Sequence, residues 1–308
     1  MPHSIAVIIP TYRRWPHLCN TMRDLNRQTI QPDEIVIVDQ TPGDEIPPGQ
    51  PKSLIEGSTV PINYIYQDRP RVYEARNRAA HAASAEILLY IDDDVVIRPE
   101  FVERHLTHYS DDAVHAVVGP AVKEGGKLRP APDAFCRMPP EVQAYLSAVQ
   151  FPEPIRNVGC MHAGNFSIRR PVLADLGGWD EHVITYGDRD LGIRMARRGY
   201  RIDYDPKAHL VHLAAPMGGT KIADPRSPWR SHQRCISIHM LAWRHLWRHP
   251  IMFARYGLFR AARFSFLLRR NAIRPWRWPI EIGGYVLALW LGLTWALRGP
   301  KCSFNLKS

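Results

Sequence analysis

Four short apolar runs constrain this chain most: Ile5-Ala-Val-Ile-Ile9, Glu34-Ile-Val-Ile-Val38, Ile62-Asn-Tyr-Ile-Tyr66 and Ile87-Leu-Leu-Tyr-Ile91. Each is rich in β-branched or aromatic residues and too short for a helix, so each predicts a buried strand. Helical spacing lies between them. Pro16 suits a first helical turn, with Leu18, Met22 and Leu25 on one face, and Val72–Ala85 is Ala-rich. The Pro- and Gly-rich stretch 40–61 predicts a loop. Pro99 opens another helix to about Tyr109, and Val114–Val118 is a further strand. Strands alternating with helices predict an α/β fold with a mainly parallel sheet.

Ligands of such sheets bind beyond the carboxyl ends of the strands. Thr11, Asp39 and Asp92-Asp93-Asp94 all sit there, so residues distant in sequence are expected to converge in one cleft. Downstream, Lys123–Pro154 is Pro-rich and shows no clear period. Cys160–Arg169 predicts a strand, Pro171–Leu176 a short helix, Asp188–Arg198 a helix and Arg201–Tyr204 a strand.

A hydrophobic content of 45% excludes a disordered chain. Cys19, Cys136, Cys160, Cys235 and Cys302 form no CxxC pair, which argues against a zinc ribbon or a disulfide framework and for a reducing compartment. The first apolar run is too short for a signal peptide, so the catalytic part is expected in the cytoplasm.

Three consecutive aspartates place like charges within a few ångströms, which is unfavourable unless a cation or a helix terminus compensates. Hard ions such as Mg²⁺ and Mn²⁺ take oxygen ligands and share substrate phosphates. Asp92 and Asp94 have the spacing to reach one ion if the backbone turns. The alternative is an acidic turn capping the helix near Pro99.

Together these segments resemble a family 2 glycosyltransferase, a nucleotide-sugar-dependent enzyme with the GT-A fold. The matching residues are Val7-Ile-Ile-Pro-Thr-Tyr-Arg-Arg14, Ile35-Val-Ile-Val-Asp39, Ala75-Arg-Asn77, Tyr90-Ile-Asp-Asp-Asp-Val95, Gly164-Asn165, Gly177-Gly-Trp-Asp-Glu181 and Gly187-Asp-Arg-Asp-Leu191. Their order and spacing cover about residues 4–220. The resemblance implies a Rossmann-like, mixed and mainly parallel sheet. It implies donor contacts from Pro10, Thr11, Arg13, Asp39, Arg76, Asp92 and Asp93, with Asp39 near the base. It also makes Asp94 a direct ligand of Mn²⁺ or Mg²⁺, with Asp92 in the metal shell.

The same resemblance makes Asp188 the catalytic base. Gly187 stands where the family usually has Glu, and Asp190 is the fallback. Both acids also suit the start of a helix. A carboxylate in hydrogen-bond reach can take the proton of an attacking hydroxyl, and attack opposite the leaving group inverts the anomeric centre. His212 is the expected third metal ligand, ahead of His209. The Gly218-Gly219 pair would let backbone N–H groups approach phosphate. Gly164, Asn165 and Trp179 would line the donor side, although a Trp after Gly-Gly equally suits a core.

Charge divides the chain. Arg230–Ser308 holds fourteen Lys and Arg against one acid, Glu281, while residues 1–229 carry a small net negative charge. Arg230–Arg277 contains eleven Arg and no Lys, with Trp residues interleaved, and Ile280–Leu297 is apolar apart from Glu281. Basic, Trp-bearing sequence beside an apolar segment predicts a helical extension on an anionic membrane surface, lying in the interface rather than spanning it. The expected organisation is a catalytic domain over 1–228 and an extension over 229–308. An acceptor at the membrane follows, such as a lipid-linked saccharide, with the enzyme on the cytoplasmic face of the cell membrane. The rival function is a catalytically inactive sugar-nucleotide-binding protein. Nucleic-acid binding, suggested by the basic pI, leaves the acid cluster and apolar tail unexplained.

Overall fold

All four apolar runs are strands: β1 (Ile5–Thr11), β2 (Glu34–Asp39), β3 (Ile62–Tyr66) and β4 (Ile87–Ile91). The computed structural model describes residues 3–145, 150–215, 228–265, 276 and 278–304. Three short strands follow, β5 (Val95–Ile97), β6 (Ala116–Val118) and β7 (Ala121–Lys123), then β8 (Asn165–Arg169), β9 (Ile202–Tyr204) and β10 (Leu210–His212). The main sheet has seven strands in the order β3-β2-β1-β4-β8-β6-β9. β3, β2, β1 and β4 run parallel; β8 is antiparallel to both its neighbours; β9 runs parallel to β6. The sheet is mixed and mainly parallel, as expected.

Continuous burial explains why β1 and β4 read as unbroken apolar runs. Strand side chains alternate between faces. Ile5, Val7, Ile9, Ile35, Ile37 and Leu89 join a core with Leu18, Met22 and Leu25 of helix α1 (Trp15–Leu25). Helix α2 (Val72–Ala82) packs against β1 and β2. Full burial of one such aliphatic side chain contributes about 1.5–3 kcal/mol. Helices α3 (Phe101–Thr107) and α4 (Arg170–Asp175) flank the later strands, and the stretch 40–61 contains helical turns at Gly43–Glu45 and Lys52–Glu56.

A second sheet has the order β5-β10-β7. β10 is antiparallel to β5 with His212 opposite Val95, and parallel to β7. This register brings His212 back beside the aspartates that follow β4.

The described residues fall into two compact units. One comprises Met1–Trp179, Leu191–Ile222 and Ser303–Ser308; the other comprises Asp180–Asp190 and Ala223–Cys302. In the second unit, helices α6 (Pro228–His245) and α7 (Trp278–Arg298) pack along each other; helix α5 (Gly187–Arg197) starts at the end of the 180–190 segment. Gly292 permits this approach, because a Cβ there would lie 2.6 Å from His239 Cβ.

Asn77 ties the first unit together. Its Nδ2 donates to Trp179 O at 2.9 Å and its Oδ1 accepts from Trp179 N at 2.8 Å. Gly178 sits at φ +89°, and a Cβ there would lie 2.6 Å from Asn77 Oδ1. The motif residues Asn77 and Gly177-Gly-Trp179 thus hold each other. Asn77→Ala leaves the buried Trp179 N–H and C=O without these partners. The expected destabilisation is about 2–4 kcal/mol, read as a lower urea midpoint at unchanged m-value.

Candidate metal centre

β4 ends at Ile91 and the chain turns before β5. Thr21 Oγ1 fixes that turn by donating to Asp93 O at 2.8 Å and lying 3.1 Å from Val95 O. The turn sends Asp92 and Asp94 one way and Asp93 another. Asp92, Asp94 and His212 each offer a ligand atom, all within 4.8 Å of one another. His212 Nε2 is 3.5 Å from Asp92 Oδ2 and 3.4 Å from Asp94 Oδ1. The three expected metal ligands are therefore brought together.

Each ligand is held by other groups. Ala215 N donates to Asp94 Oδ2 at 2.8 Å, and Leu213 N to Asp94 O at 2.9 Å. Arg76 Nη2 lies 3.4 Å from Asp92 Oδ1 and donates to Ala163 O at 3.2 Å. Its guanidinium is over the Trp179 ring at 5.0 Å. Gly164 leaves room for Asp92, since a Cβ there would lie 2.2 Å from Asp92 Oδ2. Asp93 instead accepts from Thr11 Oγ1 at 2.7 Å and from Arg14 Nη1 at 3.0 Å, and the same Nη1 is 3.0 Å from Asp94 Oδ1. Arg14 was not among the expected site residues. Its signal is positional, a basic residue just past β1, but an Arg in a loop reads from sequence as solvated surface.

Burial would raise the Asp94 carboxyl, but its hydrogen bond to His212, the His212 and Arg14 charges and the Ala215 N–H hold it below its ordinary value. Burial is likewise overcome at Asp92 by the His212 hydrogen bond and by Arg76, and its carboxyl falls far below the usual range. Burial pushes Asp93 up to about 7, with Arg14 and Thr11 acting against burial and Asp94 acting with it. Hydrogen bonds to Asp92 and Asp94 raise His212 to about 9. The imidazolium thus supplies the cation that the carboxylates require.

The donor set fits a hard divalent ion: two carboxylates and one imidazole. Asp94 Oδ1 is buried and faces two charged partners, Arg14 Nη1 at 3.0 Å and His212 Nε2 at 3.4 Å, so its surroundings suit a cation.

On the far side of β1, Thr11 pairs in register with Asp39. Asp39 is buried, accepting from Tyr64 Oη at 2.8 Å and from Thr41 N at 2.8 Å. Burial and then the Asp39 hydrogen bond raise the Tyr64 hydroxyl far above its ordinary value. Pro10 is buried within β1. Arg13 has φ +57°, donates its N–H to Thr41 Oγ1 at 2.8 Å and pairs with Glu45.

Two expected donor contacts have other work. Asn165 is fully buried, donating to Pro120 O and Ala208 O and facing His105 Nε2 at 3.0 Å. Trp179 is fully buried against Tyr73, Tyr90 and Phe166, so its ring has no free face for a sugar. Apolar packing takes the surface that stacking would need. Asp188 is half-buried in the second unit, and its Oδ1 accepts from Arg189 N at 2.9 Å. Asp190 is buried and paired with Arg244 and His245, which commits the fallback base to an ion pair. Gly218 and Gly219 lie outside the described residues.

A pH dependence follows. The folded value of His212, about 9, lies above its ordinary 6.5, so its protonation stabilises the metal-free protein below pH 6.5 and that contribution fades as pH rises through about 9. An ion needs the neutral imidazole. Mn²⁺ affinity should therefore climb with pH up to about 9, with release of one proton. Calorimetry in buffers of different ionisation enthalpy measures that proton, and His212→Ala should abolish its release.

Comparison with known proteins adds to the geometry. Over 225 residues the chain is 26% identical to the uncharacterized glycosyltransferase YwdF of Bacillus subtilis, covering 72% of this chain and 78% of that protein. It is 24% identical over 302 residues to the N-acetylglucosaminyl-diphospho-decaprenol L-rhamnosyltransferase of Mycobacterium tuberculosis, covering 89% and 95%. The fold matches S. aureus TarS 1-349 in complex with UDP-GlcNAc, at TM-score 0.62, 17% identity and coverage of 93% and 81%. It also matches the Pyrobaculum calidifontis mannosyltransferase PcManGT in complex with GDP-Man and Mn²⁺, at TM-score 0.55, 18% identity and coverage of 96% and 88%. The model of glycosyl transferase family 2 matches residues 6–177, more than half of the chain, and the chain belongs to that family.

Proposed function

We propose that the protein transfers a sugar, with inversion, from a nucleoside-diphosphate sugar to a hydroxyl of a lipid-linked glycan precursor at the cytoplasmic face of the membrane. The convergence of Asp92, Asp94 and His212 carries this reading. These residues would hold a Mn²⁺ or Mg²⁺ ion, which supplies positive charge against the diphosphate leaving group. Asp39, at the end of β2, is placed for the nucleoside, with Thr11, Pro10 and Arg13 beside it. Arg76 and Gly164 set the position of Asp92, and Arg14 and Thr11 that of Asp93. Asp188 takes the proton of the acceptor hydroxyl as its oxygen bonds to the anomeric carbon and the bond to the diphosphate breaks. The lipid-linked acceptor is supported by the named activity of the mycobacterial relative.

Surface chemistry of the second unit supports membrane association. Helix α7 buries Glu281, Ala288 and Gly292 but exposes Ile280, Val286, Leu287, Trp290 and Leu297. Trp247, Ile251 and Phe259 are exposed as well, with Arg248 over the Trp247 ring at 4.8 Å. Apolar groups mixed with Arg and Trp suit a lipid interface. Because one face of α7 is taken by α6, an in-plane placement fits better than an isolated span, although α7 is long and apolar enough to cross a membrane.

Two experiments test this. A thermal-shift series with UDP-, GDP- and dTDP-sugars, with and without Mn²⁺, should give stabilisation by one donor only when metal is present. Asp94→Ala should lose that shift. Asp188→Asn should keep it while turnover falls ~10²–10⁴-fold; full turnover in Asp188→Asn removes the assigned base. In flotation with phosphatidylglycerol vesicles, Leu287→Glu/Trp290→Glu should shift the protein from the vesicle fraction to the soluble fraction, and unchanged flotation rules out α7 as the contact.

A further inference from the structure

The segment Asp180–Asp190 carries Asp188, and the second unit grips it at both ends. At one end Asp180 is buried. Its Oδ2 accepts from Arg244 Nη1 at 2.6 Å, and its Oδ1 accepts from His182 N and Lys301 N, each at 2.9 Å. At the other end Asp190 Oδ1 faces Arg244 Nη1 at 3.2 Å and His245 Nε2 at 3.0 Å. Midway, Thr185 N donates to Ser237 Oγ at 3.2 Å. Ser237, Arg244 and His245 all belong to α6. One guanidinium nitrogen therefore bridges the two carboxylates that bracket the segment.

Between these anchors the backbone is strained. Tyr186, two residues before Asp188, sits at φ +69°. A non-glycine residue there is strained and persists only where its surroundings over-determine it. Arg189 covers the Tyr186 ring at 4.3 Å, and the Tyr186 carbonyl accepts from Arg189 N and Asp190 N. Removing one partner of a buried ion pair leaves an uncompensated charge, so loss of Arg244 releases both ends together.

We propose that Arg244, assisted by His245, is a positioning residue that sets the place of Asp188, making α6 part of the catalytic apparatus as well as part of the membrane-associated unit. This rests on Asp188 acting as the base.

The test uses the full chain with Mn²⁺ and measures nucleoside diphosphate release from UDP-GlcNAc, GDP-mannose and dTDP-rhamnose, taking the donor that turns over fastest. Arg244→Gln should lower kcat at least ~10-fold, because small misplacements of a reacting group carry losses of that order or more. Donor KM should stay within about twofold, since it reports ground-state binding rather than placement of the base. Arg244→Lys should recover part of the loss by restoring a cation. In an Asp188→Asn background, Arg244→Gln should cause no further loss, because its effect passes through Asp188. Wild-type kcat in Arg244→Gln, losses that multiply in the double variant, or a Lys variant no better than Gln would each overturn the proposal. If Arg244→Gln does not fold, His245→Gln, which removes the contact to Asp190 Oδ1, carries the same comparisons. An Asp188→Asn variant that turns over normally sinks the base assignment and the clamp with it. An inactive Asp188→Asn beside a fully active Arg244→Gln sinks the clamp alone.

Discussion

Three adjacent carboxylates at the end of a buried strand cannot stand unless positive charge meets them, and much of the first unit supplies that charge. Arg14 arrives from the loop after β1, Arg76 from α2 and His212 from β10. The three cations come from distant parts of the sequence, and the sheet and helix packing brings them to one cluster. The same compensation prepares the site for its ligand. Asp92 and Asp94 are kept ionised, and the imidazolium that neutralises them is the group that a divalent ion bound there would have to deprotonate. Asp93 has Arg14 and Thr11 as partners instead, and burial keeps its value near neutrality. Three identical side chains in a row thus have two different electrostatic roles, set by the direction in which the backbone turn sends each.

The parts of this arrangement legible in the sequence were those with a long enough pattern. β1 to β4 announce themselves because strands covered on both faces become continuous apolar runs, and their polar ends mark the crevice. β5, β7 and β10 are three residues each, shorter than any period can be read from, yet the β5–β10 pairing is what delivers His212. His212 could be anticipated beside the aspartates only through family resemblance, since spacing alone places it far from Asp94. Arg14 was hidden because charge in a loop reads as surface.

Trp179, Asn165 and Asp190 show the opposite limit. Each lies in a motif of the family, and each is fully buried on structural duty: Trp179 among aromatic rings and under Arg76, Asn165 between two carbonyls, and Asp190 against Arg244. Motif membership identifies a residue that matters without telling contact with substrate from support of a residue that makes it. Gly164 illustrates the second role plainly, since its contribution is the absence of a Cβ where Asp92 must sit.

The charge split of the chain acquires a more specific meaning from the second unit. A basic, Trp-rich tail suggests a tether, and an appended tether ought to be separable from catalysis. Yet the compact unit that includes α6 and α7 also contains Asp180–Asp190, and Asp180 and Asp190 are both paired with its Arg244. Part of the positive excess is therefore spent inside the unit, on holding a segment of the family's own motif. The apolar groups of α7 and Trp247 remain exposed. Binding at a lipid surface would stabilise the unit whose buried arginine fixes Asp180–Asp190, because whatever binds the folded unit stabilises it. Under the proposed function, attachment and catalytic geometry would draw on one set of helices.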